Sequence, residues 1–210
     1  MFEEINPSMK IGVFGGTFDP IHNGHLGIAE SACRELGLAQ VLFVPARDPW
    51  LKGNRGIAPS HHRVEMVKLA ISAYPRYNIS YVDLKREGPS YTVDTLSELR
   101  SEFGAAADLY FILGMDALAG LPNWREPERV IKMCHLVVAK RPGVDIIDLT
   151  ALEKRLTGVS GRVGMIDNDL YDINSTDIRQ RIIAGRSING LVPDAVALYI
   201  RENGLYIKEG

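Results

Sequence analysis

The stretch of sequence that decides the fold is KIGVFGGTFDPIHNGHL, residues 10–26. Residues 10–14 are a short apolar run rich in β-branched and aromatic side chains. Two glycines follow it, as expected of a buried strand that enters a tight loop. Apolar residues then recur at helical spacing over residues 26–36, and a second apolar run occupies residues 41–44. This order predicts a strand, a loop, a helix and a second strand parallel to the first.

Strand-like and helix-like stretches keep alternating along the chain. Further strands are predicted at residues 79–84, 109–113, 136–139 and 162–166. Further helices are predicted at residues 60–71, where Ser60 can cap the helix, and at residues 93–103 and 148–156. The alternation predicts an α/β fold of Rossmann-like type, with an open, mostly parallel sheet and helices on both faces.

The pattern changes near the C-terminus. Two helical segments, at residues 175–184 and 193–203, follow each other without a strand between them. We see no internal repeat and no linker long enough to separate two domains. We therefore expect one domain over residues 1–210, with residues 1–9 as an N-terminal extension and residues 171–210 as a small C-terminal helical part.

Composition and charge exclude several classes of protein. The chain has 24 Lys and Arg against 26 Asp and Glu, a net charge of −2, which argues against a nucleic-acid partner. The longest apolar stretch, residues 195–200, is far short of the ~20 residues that span a bilayer, so no membrane partner is expected. Cys33 and Cys134 lie far apart and predict neither a disulfide framework nor a zinc finger. A reducing, cytoplasmic location fits this cysteine usage best.

The loop after the first strand has the composition of a phosphate site. Gly15 and Gly16 allow backbone N–H groups to approach an anion, Thr17 adds a hydroxyl, and the start of the helix adds positive dipole. His22 and His25 are spaced so that both imidazoles can point at one spot. The alternative is a polar turn with one capping histidine. A zinc site is disfavoured because no third ligand lies nearby in the sequence, and neither a Walker-type loop nor a Gly-x-Gly-x-x-Gly motif is present.

A second helix start carries similar chemistry. Asn174, Ser175 and Thr176 are all suitable N-cap residues, and Arg179 follows one turn later. By itself this pattern also describes a capped surface helix with a solvated arginine. Hydroxyls, helix N–H groups and a guanidinium together form a second anion cradle, suited to the outer phosphates of a nucleotide that the first loop holds.

These motifs resemble those of the HxGH nucleotidyltransferase superfamily and, within it, the bacterial nicotinate-nucleotide adenylyltransferases. The resemblance extends over residues 10–207. Residues 15–25 are similar to the first superfamily signature and residues 175–179 to the second. Three further stretches resemble the nicotinate-nucleotide branch: GPSYTVDTL at 88–96, GMD at 114–116 and LPNW at 121–124.

The resemblance implies transfer of AMP from ATP to nicotinate mononucleotide, giving deamido-NAD and pyrophosphate in NAD biosynthesis. It implies Mg²⁺ as a cofactor that is bound mainly through the ATP phosphates. The catalytic residues it implies are His22, His25, Lys52 and Arg179. The ATP-binding residues it implies are Gly15, Gly16, Thr17, Phe18, His22, His25, Gly114, Asp116, Ser175, Thr176 and Arg179. The residues it implies for nicotinate mononucleotide are Gly16, Asp19, Lys52, Tyr91, Thr92, Trp124 and Arg125, with Trp124 stacked on the pyridine ring.

Several alternatives stay open at this point. Residues 48–52, DPWLK, depart from the Pro-Pro-His-Lys of many family members around Lys52. Trp124 could be a packing residue, Asp116 a helix cap, and Asp19 a support for its own loop. Rival acceptors are nicotinamide mononucleotide, glycerol phosphate and phosphopantetheine. A nucleotide-binding sensor without turnover is the rival from another class, and a homo-oligomer is left open.

Overall fold

The computed structural model describes residues 8–47, 57–140, 148–167 and 173–207. Its strands are β1 (Met9–Gly16), β2 (Gln40–Pro45), β3 (Tyr77–Ile79), β4 (Ala107–Gly114), β5 (His135–Ala139) and β6 (Val163–Ile166). Its helices are α1 (Asn23–Leu36), α2 (Ser60–Ile71), α3 (Val82–Lys85), α4 (Thr92–Phe103), α5 (Met115–Gly120), α6 (Pro127–Met133), α7 (Leu149–Arg155), α8 (Ser175–Ile183) and α9 (Asp194–Glu202). Short 3₁₀ turns occupy Leu121–Asn123 and Ser160–Arg162.

The six strands form one sheet in the order β3-β2-β1-β4-β5-β6. Every strand pair in the described residues is parallel. The sheet is therefore wholly parallel where a mostly parallel one was predicted, and the Rossmann-like fold class is confirmed. Its strand order is that of Rossmann folds.

The pleat of the strands divides the core between two faces. On β1, Phe14 belongs to one buried cluster, whereas Ile11 and Val13 belong to the other. Because successive side chains on a strand point to opposite faces, an uninterrupted apolar run supplies both clusters. The first cluster receives α1, α2, α8 and α9, and the second receives α3 to α7. Helices therefore cover both faces, as the alternating pattern predicted.

This division fixes where a ligand can enter. The helix after β1 packs on one face, and the helices after the neighbouring strand β4 pack on the other. The two connections diverge at the carboxyl ends of these strands and leave a crevice between them. Such a switch point is where open α/β sheets bind ligands.

One predicted strand is wrong, and one predicted cap is misplaced. The strand expected at residues 79–84 ends at Ile79, and its second half forms the short helix α3. There the carboxylate of Asp83 accepts hydrogen bonds from Arg86, one helical turn on, and from Thr95 of α4, which favours helical backbone over the alternating pattern. Ser60 lies inside α2, whose N-cap position is Pro59.

Candidate active site

The loop after β1 is held in place by its own aromatic side chain. Phe18 is only 2% exposed, and its ring lies 5.7 Å from that of Phe14 and 5.2 Å from that of His25. Its backbone is left-handed, with φ 50°. A Cβ atom on Gly16 would come within 3.1 Å of this ring, so any larger residue there would require the ring to shift by a few tenths of an ångström. Because the Phe18 side chain is buried, the predicted contact of this residue with ATP would have to be made by its backbone.

The two predicted histidines lie together at the start of α1. His22 is the N-cap residue, and the two rings stack with centroids 3.6 Å apart. The backbone N–H of His22 donates to Nδ1 of His25 at 3.2 Å. A neutral His25 ring therefore carries its proton on Nε2, the nitrogen that can donate to a phosphate oxygen. The pair thus has the capping role that the sequence left open, and its role as a donor to phosphate stays a prediction.

The second anion cradle packs directly against the first loop. Asn174 caps α8 by accepting a hydrogen bond from the N–H of Asp177 at 2.8 Å. The hydroxyl of Ser175 donates to the carbonyl of Pro20 at 3.0 Å, across 155 residues of sequence. Arg179 donates to the carbonyl of Asp19 at 2.8 Å. Two helix N-termini and one guanidinium therefore converge on one loop, as expected for a site that binds several phosphate groups.

Asp19 supports this loop from inside. Its carboxylate is 3% exposed and accepts hydrogen bonds from the N–H of Ala58 at 3.1 Å and from the hydroxyl of Tyr206 at 2.7 Å. These contacts favour the supporting role that the sequence left open for Asp19. Its contact with nicotinate mononucleotide stays a prediction.

Arg63 is one residue of this site that the sequence analysis missed. Its side chain is 2% exposed, and its guanidinium donates to three backbone carbonyls, those of Thr17 at 2.8 Å, Ala58 at 3.0 Å and Arg47 at 3.3 Å. Burial lowers the pKa of Arg63, and the neighbouring Asp19 acts in the opposite direction. An arginine among the apolar positions of a helix carries no motif signal, so only the folded structure reveals this clamp.

A cavity of about 300 Å³ opens at the switch point, beside the phosphate loop. Gly16 and Thr17 belong both to the loop and to the cavity wall, and Gly114 at the end of β4 forms the opposite side. Thr92, the first residue of α4, and Trp124 complete the part of the wall that was predicted from sequence. The cavity therefore combines a helix N-terminus, suited to an anion, with an indole ring, suited to contact with a planar ring.

The residues around Trp124 are partly held by one another. The Trp124 ring meets that of Phe111 edge-on, with centroids 6.0 Å apart. The guanidinium of Arg125 lies 4.9 Å from the centre of the Tyr91 ring and pairs with Asp94 at 3.9 Å. Trp124 is thus half-buried, and the packing role that the sequence left open coexists with its place in the cavity wall.

Asp83 was not predicted as a site residue, yet it lines the same cavity. Burial raises its pKa, and hydrogen bonds from Thr95 and Arg86 act against that shift. Asp116 lies exposed in the first turn of α5, next to Gly114. Lys52 and the rest of residues 48–56 lie outside the described residues.

No group of three or more His, Cys, Asp or Glu side chains in the described residues is arranged to hold a metal ion. No described helix has the length and apolarity needed to cross a membrane.

Comparison with known proteins places the chain in a family. Residues 13–181 match the family model described as cytidylyltransferase-like. The chain is 41% identical over 202 residues to a protein of Dehalococcoides mccartyi named probable nicotinate-nucleotide adenylyltransferase, with 96% of this chain and 99% of that protein covered. A protein of Thermomicrobium roseum with the same name is 46% identical over 197 residues, with 94% and 91% covered.

Among solved structures, the fold resembles that of Plasmodium falciparum nicotinic acid mononucleotide adenylyltransferase complexed with NaAD. The TM-score is 0.75 at 20% identity, with 94% of this chain and 97% of that chain covered. At that identity the likeness shows the fold alone. The sequence relatives show more, and with them the resemblance first drawn from the motifs is confirmed: this chain belongs to the nicotinate-nucleotide adenylyltransferase family of cytidylyltransferase-like proteins.

Proposed function

We propose that this chain transfers the adenylyl group of ATP to nicotinate mononucleotide, giving deamido-NAD and pyrophosphate, a step of NAD biosynthesis. The observation that carries the proposal is the docking of α8 on the β1–α1 loop, through Ser175 and Arg179, next to a cavity that contains Trp124. A double phosphate cradle beside a ring-sized cavity suits a reaction between two nucleotides. The names of the relatives support the same activity.

The reaction requires little covalent chemistry from the protein. The phosphate monoester of the acceptor has a second pKa of about 6, so near neutral pH it is mostly a dianion and already a nucleophile. It attacks the α-phosphorus of ATP, the new P–O bond forms, and the bond to the β-phosphate oxygen breaks as pyrophosphate leaves. No side chain has to remove a proton. The protein aligns two anions and stabilises the negative charge that develops between them.

The described side chains fit that task. His25 donates from Nε2 to an oxygen of the α-phosphoryl group, and His22 adds its ring at the helix start. Arg179 receives the outer phosphates, together with the first N–H groups of α8 and the hydroxyl of Thr176. Gly114 and Asp116 lie at the end of β4, where they would receive the adenosine. Lys52 is predicted to join these cations.

Magnesium enters this scheme as part of the substrate, bound to ATP. The described site offers N–H groups and cations rather than clustered carboxylates, and its one buried acid in the loop, Asp19, is already hydrogen-bonded. Mg²⁺ keeps several waters and binds readily through phosphate oxygens, so it fits a site of this kind without dedicated protein ligands. There it would neutralise charge on the departing pyrophosphate.

The cavity supports a preference for the acid form of the acceptor. The nicotinate carboxylate would sit at the N-terminus of α4, near the backbone of Thr92, and near the backbone of Arg125. The indole of Trp124 would cover the pyridine ring. At an exposed site, one helix N-terminus stabilises a negative charge by about 0.3–1 kcal/mol. The uncharged amide of nicotinamide mononucleotide would not gain this stabilisation.

Some broader expectations belong to the same proposal. α8 and α9 share a buried cluster with α1 and α2, which supports a single domain. Cys33 and Cys134 are buried and unbridged, which supports a reducing, cytoplasmic setting. The oligomeric state, a homo-oligomer included, is left to measurement.

The test is pyrophosphate release with ATP and Mg²⁺, comparing nicotinate mononucleotide, nicotinamide mononucleotide and phosphopantetheine as acceptors. We expect the highest kcat/KM with nicotinate mononucleotide and no release with phosphopantetheine. Release only with another acceptor would leave the phosphate chemistry intact but refute the assigned pyridine cavity. ATP binding without release for any acceptor would favour a nucleotide sensor.

A further inference from the structure

The buried carboxylate of Asp19 lies between a tyrosine and the phosphate-binding arginine. Its Oδ1 accepts the hydroxyl of Tyr206 at 2.7 Å and the N–H of Ala58 at 3.1 Å. Its Oδ2 is buried and receives no hydrogen bond from the residues that the structure describes, but it forms an ion pair with Nη1 of Arg179 at 3.6 Å. The same Nη1 donates to the Asp19 backbone carbonyl at 2.8 Å. A small rotation of the carboxylate would therefore let Oδ2 accept a direct hydrogen bond from the Arg179 guanidinium.

The backbone on both sides of this contact is unusual. Tyr206 has φ 64° and Phe18, next to Asp19, has φ 50°. Within the described ranges only one other non-glycine residue, Glu126, has a positive φ. A bulky side chain in this region costs about 1–3 kcal/mol, and such strain persists where the surrounding structure demands it. Of the three described non-glycine residues with positive φ, Phe18 thus precedes Asp19 in the chain and Tyr206 donates a hydrogen bond to its carboxylate.

The hydroxyl of Tyr206 is a lasting hydrogen-bond donor. Burial, and secondarily the charge of Asp19, raises the pKa of the Tyr206 phenol well above its ordinary value, so it stays protonated at any working pH. The other cation near this carboxylate is Arg63, whose guanidinium is committed to three backbone carbonyls. Tyr206 is thus a neutral side chain that donates a hydrogen bond to the Asp19 carboxylate and does not neutralise its charge.

We propose that Tyr206 is a positioning residue for the phosphate site: its hydroxyl keeps the Asp19 carboxylate in a long ion pair with Arg179 and prevents a direct hydrogen bond, so the guanidinium N–H groups stay available for the outer phosphates of ATP. Without that hydroxyl, Oδ1 loses one of its two donors and the carboxylate turns to bond Arg179 directly. A guanidinium that is hydrogen-bonded to a buried carboxylate attracts phosphate less strongly. That the bound anion is ATP rests on the proposed function. The link from Tyr206 through Asp19 to Arg179 rests on the observed contacts alone.

Tyr206→Phe is the variant that tests this, because it removes the hydroxyl and keeps the ring. Tyr199→Phe is the matched control, since it removes a hydroxyl that contacts Nδ1 of His62 at 2.9 Å, on a different part of the C-terminal segment. Each variant is compared with the wild type in three measurements: the Kd for ATP with Mg²⁺ by calorimetry, the KM for nicotinate mononucleotide, and the melting temperature.

We expect Tyr206→Phe to raise the Kd for ATP about five- to tenfold, the scale of one ordinary hydrogen bond, with the KM for nicotinate mononucleotide changed less than about twofold. Tyr199→Phe should leave both constants within about twofold. The melting temperature can fall in either variant. A loss of affinity for ATP alone therefore distinguishes a positioning role of Tyr206 from a purely structural one. In an Asp19→Asn background, where no carboxylate can neutralise Arg179, Tyr206→Phe should have a smaller effect on ATP affinity.

An unchanged ATP affinity in Tyr206→Phe, or equal losses for both substrates, would overturn the inference. A wild type that binds ATP but does not use nicotinate mononucleotide would refute the proposed function alone, because the Kd comparison would still decide the role of Tyr206. A wild type that does not bind ATP would overturn both.

Discussion

Replacing Arg63 by methionine is the most direct test of how the β1–α1 loop is supported. The change removes three hydrogen bonds from a side chain that is 2% exposed, to the carbonyls of Thr17, Arg47 and Ala58. Charge-assisted hydrogen bonds contribute about 1.5–3 kcal/mol each, or roughly 4–9 kcal/mol together, which is offset by a desolvation cost of several kcal/mol. We expect a net loss of about 3–5 kcal/mol, since the three carbonyls stay behind without donors.

For a chain of this length each kcal/mol shifts the melting temperature by roughly 2–4 °C, so Arg63→Met should melt about 10 °C lower than the wild type. Urea titration followed by circular dichroism gives the free energy directly. Arg34→Met is the matched control, because the Arg34 side chain is 59% exposed and its removal should cost less than about 0.5 kcal/mol. Arg63→Lys should lie between the two, since one ammonium cannot reproduce the guanidinium fork. Equal stability of Arg63→Met and Arg34→Met would refute the clamp.

Four further outcomes are expected. His25→Ala should lower kcat about a hundredfold, because one donor to the α-phosphoryl group is lost, and should lower the melting temperature by a few degrees at most, because the acceptor for the His22 N–H is lost too; unaltered turnover in the folded variant would remove His25 from the proposed catalytic residues. Trp124→Ala should raise the KM for nicotinate mononucleotide about tenfold and that for ATP far less, and equal changes would favour packing alone. Gly24→Ala places a Cβ 3.1 Å from Nδ1 of His22, so kcat should fall with little loss of stability in a thermal melt. Burial lowers the pKa of His62, so its contribution to stability is present above its ordinary pKa and is lost as the pH falls; His62→Gln should therefore lose less melting temperature than the wild type between about pH 7 and about pH 5.

Most of the sheet could be predicted because its strands are apolar runs bounded by glycine or proline. The runs at 10–14, 41–44, 109–113 and 136–139 all lie within observed strands. The run at 79–84 also alternates, but it lies at the sheet edge, where few backbone bonds favour a strand. Buried hydrogen bonds to Asp83 outweighed local preference there.

The parts of the candidate site that lie in short motifs could be predicted from the sequence. The side chains that hold those motifs in place from distant parts of the chain could not. His22, His25, Ser175 and Arg179 stand in two helix starts, and the structure brings them to one loop. Arg63 was missed because it acts on backbone carbonyls, which leave no trace in side-chain patterns. The short helices α5 and α6, which carry the region of Trp124, were missed because each has too few turns for a clear apolar period.

The docking of α8 on the β1–α1 loop has a consequence for the order of protein synthesis. A ribosome makes the loop first and Arg179 more than 150 residues later, as the span between Ser175 and Pro20 illustrates. All six strands leave the ribosome before α8 does, so a nascent chain can begin to pair its sheet earlier than it completes its second phosphate cradle. Nucleotide affinity should therefore rise only after α8 has emerged and docked, and a chain that stops before α8 should fail to hold triphosphate.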